Sequence, residues 1–151
     1  MDDAGKEHIK KVIDDFNQHE KWVIKDPRLV GMLKYWYVDG AGVIVVARNP
    51  FFSYIYRKTR ISQIFAWKPF LEYWYKTYVY LKKQLDDLNC PYMLSIPAEE
   101  GEDSLKKISK FIGYDLPSFP VERDILLPDK PNCVEGKQYL DRCIDLFGRS
   151  N

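Results

Sequence analysis

Gly42-Val43-Ile44-Val45-Val46-Ala47-Arg48-Asn49-Pro50-Phe51-Phe52, continued by Ser53-Tyr54-Ile55-Tyr56-Arg57-Lys58-Thr59-Arg60, is the stretch whose reading decides the fold. A short β-branched run, bounded by Gly on one side and a charge on the other, predicts a buried parallel strand. The residues from Asn49 onward predict a helix, because Asn49 suits the N-cap and Pro50 the first helical position, where a missing N–H costs nothing. Arg48 then falls where a buried strand meets a helix N-terminus. In open α/β sheets ligands bind beyond the carboxyl ends of the strands, and helix N-termini favour anions. Two readings of Arg48 stand side by side: a guanidinium gripping a phosphate in a bidentate way, or one pairing with a local carboxylate and closing the strand.

Outward from this stretch, strands alternate with helices. Towards the N-terminus, Ile9, Val12, Ile13 and Phe16 recur at i, i+3, i+4 and i+7 and predict a first amphipathic helix. The two histidines, His8 and His19, flank that stripe and read as solvated helix residues. Trp22-Val23-Ile24-Lys25 is a candidate strand closed by Asp26-Pro27-Arg28, since Pro27 removes a ladder donor and turns Asp26 away from helix. Leu29, Met32, Leu33 and Trp36 supply a second helical stripe, and Asp39-Gly40-Ala41-Gly42 turns the chain into the central strand.

Towards the C-terminus, a long helix is expected from about Lys68-Pro69 to Leu88, with a core stripe of Phe70, Trp74, Tyr78, Leu81 and Leu85. Tyr73 and Tyr80 lie off this stripe, which implies either a helix buried on two sides or a partner surface. Tyr92-Met93-Leu94-Ser95-Ile96 is a third candidate strand. Glu102 to Ile112 is a further helix stopped by Gly113. The segment from Asp115 to Cys133 holds Pro117, Pro120, Pro128 and Pro131 and should be irregular. A last helix carries Tyr139, Leu140, Cys143, Ile144 and Phe147. The pattern predicts a single α/β domain over residues 1–151, a small parallel sheet flanked by helices. Three short strands are few for such a sheet, so the expectation is that another segment pairs with it or that the chain lacks a piece its relatives carry, with a homo-oligomer as a further way to complete the sheet.

Bulk composition narrows the function classes. With 23 Lys+Arg against 22 Asp+Glu, the net charge of +1 gives no argument for a nucleic-acid or membrane-surface partner. Cys90, Cys133 and Cys143 are odd in number and form no C-x-x-C pair, which suits reduced thiols in a cytoplasmic protein and indicates neither a disulfide framework nor a metal site. No apolar run reaches the length of a signal or membrane helix.

Four segments together resemble the sulfotransferase family, which transfers a sulfuryl group from 3′-phosphoadenosine 5′-phosphosulfate to an alcohol or amine. Trp22-Val23-Ile24-Lys25-Asp26-Pro27-Arg28 looks like the Trp-x-x-Lys-Asp-Pro-Arg strand and turn of a branch common in bacteria and their viruses. Val45-Val46-Ala47-Arg48-Asn49-Pro50 is similar to the family's 3′-phosphate strand-turn-helix. Phe70 to Tyr78 is placed like the family's Trp-x-x-Tyr helix, and Ser104 to Gly113 is close to its Leu-x-x-Ile-x-x-Phe-Leu-Gly helix. The resemblance spans residues 22–113, in the family's order.

The resemblance implies a P-loop-NTPase-like sulfotransferase fold, with that nucleotide as donor substrate, an unidentified small-molecule or glycan acceptor, and no metal. It makes Arg48 the 3′-phosphate ligand. The family's second contact, a Ser eight positions on, is here Tyr56, and Ser53 lies one helical turn earlier on nearly the same face. Lys25 matches the lysine that approaches the transferring sulfuryl group. Pro27 stands where the cytosolic branch has a catalytic His, which leaves Asp26 as the nearest base, with an N-cap or turn role as its alternative.

The family also opens with a strand and a Gly/Ser/Thr-rich loop that cradles the 5′-phosphosulfate. The segment from Met1 to Lys21 has one Gly and no Ser or Thr, so the expectation is a sulfotransferase domain truncated at its N-terminus. A non-catalytic relative of the same fold, acting as a binding or assembly module, is the alternative. A kinase-like nucleotide binder is disfavoured by the lack of a Gly-x-x-x-x-Gly-Lys-Ser/Thr motif.

Overall fold

The computed structural model describes residues 1–60, 66–117 and 134–148, without the side chains of Tyr56, Lys58, Thr59, Arg60, Ala98 and Glu99. Strand β1 (Val43–Val46) and strand β2 (Tyr92–Ser95) pair in parallel, with Val43 opposite Tyr92 and Val46 opposite Ser95. Backbone bonds from Val43 N to the Pro91 carbonyl and from Ala47 N to the Ser95 carbonyl, both 2.9 Å, carry the ladder one step beyond each end. Parallel neighbours need a crossover. Here it contains helix α3 (Pro50–Arg60) and helix α4 (Trp67–Asp87).

The sheet has two strands among the described residues, not three. Trp22 to Asp26 has no regular secondary structure and pairs with no strand, and Val23 is 85% exposed. Local packing holds this segment: the Trp22 ring stacks on Phe16 with centroids 5.6 Å apart, and its indole N–H donates to Asn17 Oδ1 at 3.2 Å. These local contacts, and no ladder to β1 or β2, define the segment, which stays coil. The stripe expected over Leu29 to Trp36 also divides, into a 3-10 turn (Pro27–Gly31) and one short helix, α2 (Leu33–Trp36). Met32, at φ −134, breaks the helical path between them.

Helix α1 (Asp3–Phe16) starts on Asp2, whose carboxylate accepts from Gly5 N at 2.9 Å, and it buries Ile9 beside α2. Because the sheet is so small, the long helix α4 organises the core. It contributes Phe70, Trp74, Leu81 and Leu85, which meet Val45 and Ala47 from the β1 segment and Leu94 and Ile96 from the β2 segment. Helix α7 (Val134–Phe147) closes this core with Leu140, Cys143 and Phe147. Trp67 donates to Glu135 Oε2 at 2.6 Å, and the Arg142 guanidinium lies 4.2 Å from the Tyr75 ring centre, so polar groups fix the α4–α7 register. Tyr73 and Tyr80 are 60% and 49% exposed, so burial does not account for the aromatic second side of α4.

Asn89 turns the chain from α4 into β2 at φ 47, a left-handed conformation that Asn tolerates. A short helix, α5 (Pro97–Glu100), comes after β2, and helix α6 (Glu102–Ile112) ends on Gly113 at φ 65, as its sequence predicts. Gly42 is needed for close approach: a Cβ there would lie 2.8 Å from the Phe111 ring of α6. Most of the proline-rich stretch, from residue 118 to Cys133, lies outside the described residues. Cys90 and Cys143 are buried free thiols. No helix among the described residues is long and apolar enough to cross a membrane.

Candidate functional site

The carboxyl end of β1 and the first turn of α3 form the candidate site. Ala47, 1% exposed, anchors the turn in the core, and Pro50 is fully buried just after it. The side chain between these anchors, Arg48, is exposed. Its Nε donates to Ser53 Oγ at 3.1 Å. Asn49 caps the helix, its Oδ1 accepting from Phe51 N at 3.0 Å. An edge-on aromatic cluster holds α3 in place, with Phe51 and Tyr54 5.9 and 5.0 Å from the Trp67 ring.

This geometry defines which donors are available. Asn49 satisfies the first free N–H of α3, so an anion here meets side chains before backbone. Among the described residues both Arg48 Nη groups lack a protein partner, and no carboxylate closes on the guanidinium. Ser53 accepts from Arg48 through its oxygen, which leaves its own O–H free to donate. The pair therefore presents several convergent donors and no competing acceptor charge, a set suited to a phosphate oxygen.

Tyr78 belongs to the same corner. Its hydroxyl donates to the Val46 carbonyl at 3.1 Å, two positions before Arg48. Burial, and then the neighbouring Cys143 thiol, push its pKa up, while the Arg48 charge pulls the other way. The phenol therefore stays protonated and donating. Helical spacing places Tyr78 on the core stripe, and nothing in that spacing signals the polar role of its ring tip.

Beyond β2, Ser95 and Ser104 share a buried hydrogen bond of 2.5 Å. Glu100 accepts from Ile96 N at 3.1 Å and pairs with Lys107 at 2.7 Å. These groups satisfy one another and leave Arg48 as the outward-facing cation of the turn.

The other expected site residues are placed differently. Lys25 is exposed on the coil segment before the 3-10 turn. Asp26 caps that turn, accepting from Arg28 N at 2.8 Å and from the Arg28 guanidinium at 2.5 to 3.0 Å. These bonds hold its carboxyl down at about 2, so it is a weak proton acceptor near neutral pH. Of its two readings, turn residue or base, its contacts realise the turn. No described hydrogen bond, ion pair or ring contact joins Lys25 or Asp26 to Arg48 or Ser53. Tyr56 sits on α3, but its side chain lies outside the described residues. No group of three or more His, Cys, Asp or Glu residues suited to a metal occurs among the described residues. In comparisons with known proteins, no family model, no curated protein and no solved structure matches this chain.

Proposed function

We propose that the chain is a sulfotransferase-like protein whose Arg48 and Ser53 hold the 3′-phosphate of 3′-phosphoadenosine 5′-phosphosulfate. The observation that supports this most is the Arg48–Ser53 pair, 3.1 Å apart at a strand end with its remaining donors unoccupied. On this reading, once the family's 5′-phosphosulfate loop is supplied, an acceptor hydroxyl or amine attacks the sulfur, the bond from sulfur to the 5′-phosphate oxygen breaks, and the proton passes to solvent. Lys25 is the cation that offsets charge on the sulfuryl group, and positioning supplies most of the rate. The chain works in the cytoplasm on a small-molecule or glycan acceptor, with no metal.

The second reading is a non-catalytic member of the same fold that binds the nucleotide or assembles with a partner. Two observations favour it: Lys25 makes no described contact with the Arg48 turn, and the Asp26 carboxylate is committed to Arg28.

Calorimetric titration with 3′,5′-adenosine bisphosphate tests the nucleotide site. The intact chain is expected to bind, Arg48→Ala to remove the heat, and Ser53→Ala to weaken binding by about tenfold, the loss of one charge-assisted bond. Absence of binding by the intact chain overturns the proposal. Binding without sulfuryl transfer to phenols, sugars or amines decides for the non-catalytic reading.

A further inference from the structure

A second cationic surface includes neither Arg48 nor Ser53. It is an open groove of about 620 Å³ between the 3-10 turn, α3 and α4, lined by Arg28, Arg57, Tyr73, Lys76, Thr77 and Tyr80 among others, none of them acidic. We propose that this groove binds a phosphate or sulfate ester carried on a ring.

The charge in the groove is uncompensated for identifiable reasons. Lys76 has Glu72 one turn before it, the spacing of a helical ion pair. Tyr139 of α7 donates to that carboxylate instead, and Lys76 is left exposed without a partner among the described residues. Arg57 likewise has no described partner. Asp26 engages Arg28 through Nε and Nη2 only, which leaves Nη1 free. The groove thus carries about two net positive charges, with a third guanidinium edge available to an oxygen acceptor.

The ring requirement comes from α4. Tyr73, Lys76, Thr77 and Tyr80 recur at i, i+3, i+4 and i+7 and share one face, with the two tyrosines about 10 Å apart along the helix axis. They are 60% and 49% exposed, which leaves two aromatic rings uncovered on one face of the helix. Thr77 gives its hydroxyl to the Tyr73 carbonyl at 2.9 Å, so the polar atoms left for a ligand here are the cations and the phenol tips. The turn facing this side of α4 is fixed, because Gln84 Nε2 donates to the Val30 carbonyl at 2.6 Å. A ring between Tyr73 and Tyr80, aromatic or sugar, with its ester group turned towards Lys76 and Arg57, satisfies both features.

The test is amide NMR titration of the full chain at low salt with 4-nitrophenyl sulfate, glucose 6-phosphate and inorganic sulfate in separate arms. Either ester is expected to shift amides of residues 73–80 and of the 3-10 turn, with half-saturation in the millimolar range. The stronger arm identifies an aromatic or a sugar ring. Arg57→Ala with Lys76→Ala should weaken binding by about tenfold, Tyr73→Ala with Tyr80→Ala should cut the ester to the level of inorganic sulfate, and Lys68→Ala elsewhere on α4 should change nothing. The proposal is overturned if inorganic sulfate binds as well as both esters, if no shift localises to this face, or if the double cation variant binds unchanged. Shifts confined to residues 73–80 are read apart from residues 48–53, so loss of ester binding here and loss of nucleotide binding there are separate results.

Discussion

Tyr78 of α4 donates its hydroxyl to the Val46 carbonyl across 3.1 Å, tying the central helix to the strand end that carries Arg48. Val43 and Ala47 point their N–H groups at β2, so by strand alternation the Val46 carbonyl faces the opposite, unpaired side of β1. The phenol takes the place of a missing neighbour strand at that position. Tyr78→Phe should keep the ring packing and lose about 1 kcal/mol, whereas Tyr78→Ala should lose about 3–5 kcal/mol, both read from denaturant unfolding. Equal losses in the two variants would show that the hydroxyl contributes nothing.

The Ser95–Ser104 bond, buried at the end of β2, gives a second prediction. Ser95 is 0% and Ser104 2% exposed, and each is the other's partner at 2.5 Å. Replacing either by Ala leaves a buried hydroxyl unpaired and should cost about 1–3 kcal/mol. The double variant Ser95→Ala with Ser104→Ala should cost less than the sum of the singles, because both unsatisfied groups are gone. A double-mutant cycle with strictly additive losses contradicts this.

How far the sequence discloses the molecule depends on which forces are local. The helix of Pro50 to Arg60 and its Asn49 cap are written in neighbouring residues, as are the long α4 and the Gly113 stop. The fate of the Trp22 segment is not, because strand propensity does not say whether the segment reaches a sheet edge, and here its Trp22 side chain finds Phe16 and Asn17 instead. Within the candidate site, Ser53 is legible from its place one helical turn before Tyr56, the position the resemblance marks, a local relation. Tyr78 is not, since its partner lies 32 positions away. Nor is the exposed face of Tyr73 and Tyr80 decidable from spacing, which shows that a helix is aromatic on two sides but not what covers either one.

Asp26 and Arg28 form the tightest described local ion pair of the turn, at 2.5 Å. The Arg28 bonds lower the Asp26 pKa from 3.8 to about 2. A carboxyl with a depressed folded value contributes stability above its unfolded pKa and loses it as pH falls through the folded one. The order of the 3-10 turn should therefore persist at pH 5 and fade between about pH 4 and 2. Carboxyl-carbon NMR should place the Asp26 midpoint near 2, and Arg28→Gln should return it towards 3.8. A midpoint near 3.8 in the unsubstituted chain rules out the pair as drawn.

At the alkaline end the sign reverses. Cys143 is fully buried in α7, and burial pushes its thiol from 9.0 up to about 12. The Tyr78 phenol is raised by the same cause. Both groups are neutral when protonated, so the folded state holds protons that the unfolded chain releases. Stability is therefore complete below about pH 9 and should decline steadily as pH rises towards 12. Cys143→Ala should flatten this decline while costing about 1–2 kcal/mol of packing at pH 7, the lost contacts of a small buried side chain. The same burial predicts that iodoacetamide at pH 8 modifies Cys143 only as fast as the chain opens, since reaction needs both thiolate and access. Alkylation of Cys143 at the rate of a free thiol, read by peptide mass spectrometry, would remove the basis for both expectations.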